Sequence, residues 1–207
     1  MTLTFQFYQS VFQIMDELPV DEQQHMHRVG RLTGALTQAL LHHRRDLESH
    51  DVLLFEQAAQ YHDIGKIWIP PEVLMKPGQL TEEERGIVQQ HPVFSEMLLV
   101  QARAGVLSGI PKHLMELAAD CAVYHHEWWN GKGYPYGLKG REIPMVARIA
   151  TICDAYDAMT SDRVYRKAHT HKFACEELEI NAGTQFDPDL VEVFLKSAIS
   201  HTAAMLP

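Results

Sequence analysis

The sequence predicts an all-α helical bundle. Apolar residues recur three and four positions apart along most of its 207 residues, and no segment alternates as a half-buried strand would. The clearest helix is expected at residues 21–43, where one face carries Val29, Leu32, Leu36 and Leu40. A hydrophobic content of 46% with 22% charged residues is typical of a globular domain that has a sizeable core.

Capping signals and prolines set the limits of the other elements. A first helix is expected at residues 3–18 and a third at residues 52–62, followed by a loop with one helical turn at residues 71–75. Thr81 begins a capping box, so a helix is expected from there through His91, with a kink or junction immediately after His91 because a proline follows. The remaining helices are expected at residues 111–124, 144–161, 170–182 and 188–201.

One domain is expected at residues 20–207, with residues 1–19 packed against it as an N-terminal amphipathic helix. The alternative for that helix is a dimer seam made by apolar residues such as Phe12 and Ile14, so we expect a monomer or a homodimer. No apolar run approaches the roughly 18 residues of a membrane span, and a basic leader is missing, so we expect a cytoplasmic protein without membrane contact. The net charge of −9 disfavours binding to duplex nucleic acid, which needs a basic face.

The segment at residues 61–66 carries the strongest chemical signal. On a helix, the adjacent His62 and Asp63 would point about 100° apart, so one of them could hold a metal ion end-on while the other bridges two ions. Gly65 would end the helix there. Lys66 would then stand beside the ions, where its ammonium group could meet a phosphate.

Five other residues are candidate partners for this pair. Each alone is typical of a solvated histidine or of a carboxylate paired with arginine, although Asp154 lies in an apolar run where a lone carboxylate would be costly. Together with His62 and Asp63 they supply five imidazoles and two carboxylates, a mixed set that suits iron or manganese better than zinc. The five are His25, His91, His125, His126 and Asp154.

The order of the motifs resembles that of the HD-GYP family, a branch of the HD-domain metal phosphohydrolases. The motifs are His25-x-x-Arg-Val, His62-Asp63-Ile-Gly-Lys66, His91-Pro, His125-His126-Glu127, Gly131-Lys-Gly-Tyr134-Pro135, Arg148-Ile with Asp154, and Asp157-Ala-Met-Thr-Ser-Asp-Arg163. The resemblance implies an HD-domain helical bundle with a binuclear metal centre in its core cleft. It also implies hydrolysis of cyclic di-GMP, or of a related cyclic dinucleotide, to pGpG and/or GMP through a metal-bridging hydroxide.

The resemblance also assigns roles to individual residues. Asp63 and Lys66 would be catalytic, with Asp63 bridging two divalent ions that are iron or manganese. One ion would be held by His25, His62, Asp63 and Asp154, and the other by Asp63, His91, His125 and His126. Some family members bind a third ion through a glutamate four residues before the first histidine, and Asp21 stands at that position here. The substrate contacts would be Lys66, Tyr134, Arg163 and Arg166.

Several alternatives stay open at this point. The chain could be an HD hydrolase of another nucleotide, or a catalytically weak di-iron module that binds or signals. The glycine-rich residues 131–135, called the GYP loop below, could contact signalling proteins as in other family members. Tyr134 could stack on a base or be tucked inside, and Arg163 and Arg166 could belong to a solvated turn. Asp157 is expected to orient a ligand or Lys66 rather than to bind metal.

Overall fold

Helices account for the regular secondary structure of the computed structural model, which describes residues 8–162 and 167–197. They are α1 Val11–Glu17, α2 Val20–Leu40, α3 Ser49–Ala59, α4 Pro71–Leu74, α5 Glu82–Val88, α6 His91–Arg103, α7 Met115–Tyr124, α8 Met145–Thr160, α9 His171–Ile180 and α10 Pro188–Lys196. Short 3-10 helices lie at Ile64–Trp68, Lys112–Leu114 and Gly140–Glu142. Over the described ranges the only β-type pairings are two isolated bridges, so the predicted all-α class is confirmed.

The long helix α2 is central to the bundle, because it packs against α3, α8 and α10. Its apolar face joins one cluster of buried residues that includes Leu36, Ile149 and Phe194. A second cluster, which includes Ile14 and Leu98, lies around α1, α6 and α7. Among the helices that the structure describes, none is both long and apolar enough to cross a bilayer.

The N-terminal helix is shorter than predicted. It begins at Val11, after Ser10 caps it by accepting a hydrogen bond from the Gln13 amide. Residues 1–7 lie outside the described residues. Val11 and Ile14 are fully buried, as expected for packing on the core, whereas Phe12 is 59% exposed. The domain boundary itself stays a prediction.

The end of α3 corrects one prediction. The helix ends at Ala59 rather than at residue 62, so His62 and Asp63 lie in a turn that leads into the 3-10 helix. Gly65 does not end a helix either, because it lies inside the 3-10 segment. Its role is close packing: a Cβ atom at Gly65 would lie 2.0 Å from the His91 carbonyl oxygen.

The junction around His91 and the remaining helices follow the prediction closely. Thr81 forms the predicted capping box with Glu84. The break between α5 and α6 comes immediately before His91 rather than after it, since proline is accepted in the first turn of α6. Helices α7, α8 and α9 lie within the predicted ranges, and α10 is described as far as Lys196.

Candidate metal centre

Asp63 lies at the centre of the candidate site and is 2% exposed. Its Oδ1 atom is 3.1 Å from His91 Nε2 and 3.7 Å from His125 Nε2. Its Oδ2 atom is 3.1 Å from His62 Nε2 and 3.6 Å from His25 Nε2. The carboxylate therefore presents one oxygen to each of two groups of imidazoles, which is the arrangement a bridging ligand requires.

The structure brings together all seven residues that the sequence predicts as metal ligands. Their potential ligand atoms form two groups, and within each group the atoms lie within 4.8 Å of one another. One group is Asp63, His91, His125 and His126, and the other is His25, His62 and Asp154. His25 Nε2 and an Asp154 oxygen are 3.0 Å apart. The grouping matches the predicted division, while the binding of ions by these residues stays a prediction.

Backbone carbonyl groups orient three of the imidazoles. Nδ1 of His62 donates to the Ala59 carbonyl at 2.9 Å, and Nδ1 of His91 donates to the Val88 carbonyl at 2.8 Å. Nδ1 of His125 is 3.1 Å from the carbonyl of Cys121, one turn earlier in α7. Because a carbonyl only accepts, Nδ1 carries the proton in each ring and the Nε2 lone pair faces the centre.

A charged chain of contacts orients the fourth imidazole. Nδ1 of His25 is 2.6 Å from Asp157 Oδ2. Arg28 donates to both oxygens of Asp157, from Nε at 2.6 Å and from Nη2 at 3.0 Å. This contact agrees with the prediction that Asp157 orients a candidate ligand, while metal binding by His25 stays a prediction. The part played by Arg28 was not predicted, although it lies three residues after His25 in the quoted motif.

Two glycines allow separate segments to approach the centre. Without a side chain at Gly65, the N-terminus of α6 packs on the 3-10 helix, and the Gly65 amide donates to Ser95 Oγ at 3.0 Å. A Cβ atom at Gly133 would lie 2.2 Å from the Trp128 nitrogen and 2.5 Å from the His126 carbonyl oxygen. The GYP loop therefore lies directly on the segment that carries the paired histidines.

The GYP loop is fixed by contacts with that segment. The Tyr134 amide donates to the His126 carbonyl at 3.1 Å, and the two rings stack with centroids 4.7 Å apart. Buried Glu127 accepts through Oε1 from the amides of Tyr136 and Gly137, at 2.7 and 3.1 Å. Tyr134 is half-buried, so it is neither fully tucked inside nor fully presented to solvent.

The charges of the site favour neutral His125 and His126 beside an anionic Asp63. Burial alone would lower the pKa of His25, but hydrogen bonds with Asp154 and Asp157 outweigh burial and raise it to about 9. Burial alone would raise the pKa of the Asp63 carboxyl, but the adjacent His62 imidazole and the Lys66 ammonium group outweigh burial, so the pKa lies well below its ordinary value. Burial lowers the pKa of His125 to about 4. Burial and repulsion from His125 also hold the pKa of His126 well below its ordinary value. Deprotonated imidazole and carboxylate are the forms that bind metal ions.

Two orphaned atoms test whether an ion fits this cluster. His62 Nε2 and Asp63 Oδ1 are buried, and neither makes a hydrogen bond of good geometry to any residue the structure describes. Buried polar atoms of this kind normally have a partner. A divalent ion beside each atom would supply that partner, so the donor set fits a divalent metal site.

Lys66 does not point freely toward solvent, as a pure substrate contact would. Its ammonium group is 2.7 Å from Asp63 Oδ2 and 2.7 Å from Glu22 Oε2. Burial alone would lower the pKa of this ammonium group, but the charges of Asp63 and Glu22 outweigh burial and raise it. Glu22 was missed at the sequence level, although it lies three residues before His25 on α2.

Three other predicted site residues have different outcomes. Asp21, the predicted third-ion position, is exposed in the first turn of α2, where it lies outside both groups of potential ligands. The inward-facing acid is its neighbour Glu22. Arg163 and Arg166 lie outside the described residues, so their substrate contacts stay predictions.

The sequence is similar to those of several known proteins. A family model described as HD domain matches residues 13–190. A cyclic di-GMP phosphodiesterase from Thermotoga maritima is 37% identical over 177 residues, which cover 86% of this chain and 45% of the relative. The 3'3'-cGAMP-specific phosphodiesterase 2 from Vibrio cholerae is 36% identical over 172 residues, which cover 80% of this chain and 31% of that protein.

A solved structure supports the same fold. An HDG"Y"P protein from Bdellovibrio bacteriovorus superposes with a TM-score of 0.63 at 19% identity, over 90% of this chain and 57% of that chain. A likeness at this level of identity shows the fold alone. The chain spans less than half the length of the two curated relatives above.

Proposed function

This chain belongs to the HD-domain family, as the HD-GYP resemblance predicted, and we propose that it is a metal-dependent phosphodiesterase of cyclic dinucleotides. The substrate is cyclic di-GMP or a related cyclic dinucleotide, and the product is pGpG and/or GMP. The observation that carries the proposal is the Asp63 carboxylate, whose two oxygens face two separate groups of imidazoles. The names of the relatives from Thermotoga maritima and Vibrio cholerae supply the substrate class.

The proposed cofactor is a pair of divalent ions that share Asp63. His25, His62 and Asp154 complete one site, and His91, His125 and His126 complete the other. When bound, such a pair lowers the pKa of a water molecule and neutralises charge on phosphoryl oxygens. Iron or manganese is proposed, because five imidazoles and two carboxylates form a mixed nitrogen and oxygen set.

The burial pattern supports entry of the substrate on one side of the centre. Most of the proposed ligands are buried, but His126 and Asp154 are partly exposed, and so is Tyr134 beside them. A scissile phosphate is therefore expected on this side, with the Tyr134 ring available for contact with a base. Lys66 supplies a fixed positive charge within 2.7 Å of the shared carboxylate, where it can neutralise a non-bridging phosphate oxygen.

Other features of the proposal follow from the family resemblance. Arg163 and Arg166 are proposed as phosphate or guanine contacts, because guanidinium groups bind phosphate in a bidentate way. The GYP loop is proposed as a contact for signalling proteins. We also propose that the protein acts in the cytoplasm, where cyclic dinucleotides are signals.

The test is turnover by purified protein reconstituted with Mn²⁺ or Fe²⁺ under anaerobic conditions. Cyclic di-GMP, 3'3'-cGAMP and cyclic di-AMP are supplied separately, products are separated by chromatography, and bound metal is counted by elemental analysis. We expect about two ions per chain and hydrolysis of at least one dinucleotide. Asp63→Asn should lose both metal and activity.

A matched pair on one helix controls for general damage. His25→Ala should lower metal content and activity, whereas His27→Ala should change neither, because His27 is exposed on α2. Metal-loaded protein that leaves all three dinucleotides intact would refute the phosphodiesterase proposal. Redox-dependent spectra without hydrolysis would instead support the di-iron module.

A further inference from the structure

We propose that Glu22 is a positioning residue that keeps the Lys66 ammonium group beside the metal centre when the ions are bound. The inference deepens the proposed function and rests on it. Glu22 would not touch the reacting phosphate itself. It would act through Lys66, which meets the phosphate.

The contact between these residues is tertiary and well buried. Glu22 lies in the first turn of α2 and Lys66 lies in the 3-10 helix Ile64–Trp68, 44 residues later. The Glu22 side chain is 12% exposed and the Lys66 side chain is 13% exposed. A lysine stem is flexible and its ammonium group is strongly hydrated, so it stays in so buried a place only where carboxylates hold it.

The second carboxylate beside Lys66 has another task in the proposed enzyme. Lys66 Nζ is 2.7 Å from Asp63 Oδ2, and the same oxygen lies 3.1 Å from His62 Nε2. This oxygen therefore faces the group that would hold one divalent ion. Once it is bound to a dication, it has less negative charge to offer the ammonium group, and the dication repels that group directly.

Metal binding thus changes which anion holds Lys66. Both Asp63 and Glu22 contact its ammonium group, each at 2.7 Å. In the metal-loaded enzyme the attraction of Asp63 is weakened, and Glu22 becomes the anion that offsets the repulsion by the ions. Without Glu22, Lys66 would turn toward solvent and leave the phosphate without its positive charge.

The direct test measures the accessibility of Lys66 rather than activity. Mn²⁺-loaded protein is treated briefly with an amine-acylating reagent, and the labelling rate of each lysine is read by mass spectrometry. In Glu22→Gln, the Lys66 rate should rise by at least about 10-fold relative to wild type. Glu83→Gln makes the same chemical change at an exposed position and should leave the Lys66 rate unchanged. The rate at Lys76, which pairs with Glu84, is the internal reference.

Enzyme kinetics provide a second test of the inference. Glu22→Gln and Lys66→Met should each lower kcat/KM for cyclic di-GMP by at least about 10-fold. The kcat/KM of the double variant should be no lower than that of the less active single variant. Glu22→Asp, which keeps the charge, should recover part of the loss. The metal content of Glu22→Gln should equal that of wild type, because Glu22 is proposed to act on lysine and not on an ion.

Several results would overturn the inference. They are an unchanged Lys66 labelling rate in Glu22→Gln, additive losses in the double variant, or a missing ion in Glu22→Gln, which would make Glu22 a ligand. If Glu22→Gln fails to fold, labelling and kinetics of Glu22→Asp decide the question. An unchanged labelling rate of Lys66 and an unchanged kcat/KM in Glu22→Asp would then count against the inference. Absence of turnover in the wild-type protein would refute the proposed function. The labelling experiment would still test whether Glu22 holds Lys66 in place, because it does not depend on turnover.

Discussion

Gly65→Ala is the substitution whose effect the geometry specifies most closely. The added Cβ atom would lie 2.0 Å from the His91 carbonyl oxygen and 2.5 Å from the Ser95 nitrogen, where ordinary contact begins near 3.4 Å. Both atoms belong to the backbone of α6, so no side-chain rotation relieves the clash. The start of α6 must retreat by about 1.4 Å, the difference between 3.4 and 2.0 Å.

That displacement bears directly on the proposed metal site, because His91 is the first residue of α6. Its Nε2 atom lies 3.1 Å from Asp63 Oδ1, and metal–ligand distances tolerate only about 0.2 Å. We expect metal affinity on this side to fall by about 10- to 100-fold and turnover to fall by on the order of 100-fold. Forced overpacking should also cost about 1–3 kcal/mol of unfolding free energy.

Gly86→Ala is the matched control for this substitution. Gly86 lies in α5, and in the described part of the chain no heavy atom beyond its own helix and chain neighbours comes within 4 Å of the site of a new Cβ. Alanine should therefore stabilise the helix by about 0.5–1 kcal/mol and leave metal binding unchanged. Calorimetric titration with Mn²⁺ and urea unfolding measure both quantities. Wild-type metal affinity in Gly65→Ala would refute the packing argument.

Three further predictions concern the surroundings of the site. Asp157→Asn should lower metal affinity by about 10-fold in a Mn²⁺ titration, since His25 loses its charged partner; an unchanged affinity would contradict that role. Removal of metal with EDTA should abolish turnover and lower the unfolding temperature, and re-addition of Mn²⁺ should restore both; activity that survives full metal depletion would count against the centre. Arg148→Met should cost about 3–5 kcal/mol in urea unfolding because it leaves Asp187 buried without the partner 2.7 Å away, while metal affinity stays at the wild-type value.

The convergence of the candidate ligands was predictable from the sequence, because metal chemistry restricts the residue types that can serve. The order of the motifs that carry these residues resembles that of the HD-GYP family, and this order is informative even when the separations are long. Asp154 gave the sharpest local signal, since a carboxylate inside an apolar helix needs compensation. The helices themselves follow from apolar spacing, as in α2 and α8.

Features that depend on contacts between distant segments were not predictable in the same way. Gly65 has the residue type of a helix terminator, and only the approach of His91 and Ser95 shows that it serves packing. The end of α3 at Ala59 was likewise not predicted, and the 3-10 helix that follows packs against α6. The family resemblance pointed to Asp21, four residues before His25, although residues three apart, such as Glu22 and His25, share a helix face as well. The start of α2 at Val20 instead leaves Asp21 exposed in the first turn.

One face of α2 combines these local and distant effects. Glu22, His25 and Arg28 are spaced three residues apart, so they spread over roughly 120° of the helix surface. The anion meets Lys66, and the cation meets Asp157, which in turn holds His25. Each charge on this face therefore contacts an oppositely charged partner from another segment. A rotation of α2 would displace the candidate ligand His25 together with Glu22 and Arg28. The orientation of this one helix thus sets the geometry on the His25 side of the centre, just as the packing of α6 on Gly65 sets it on the His91 side.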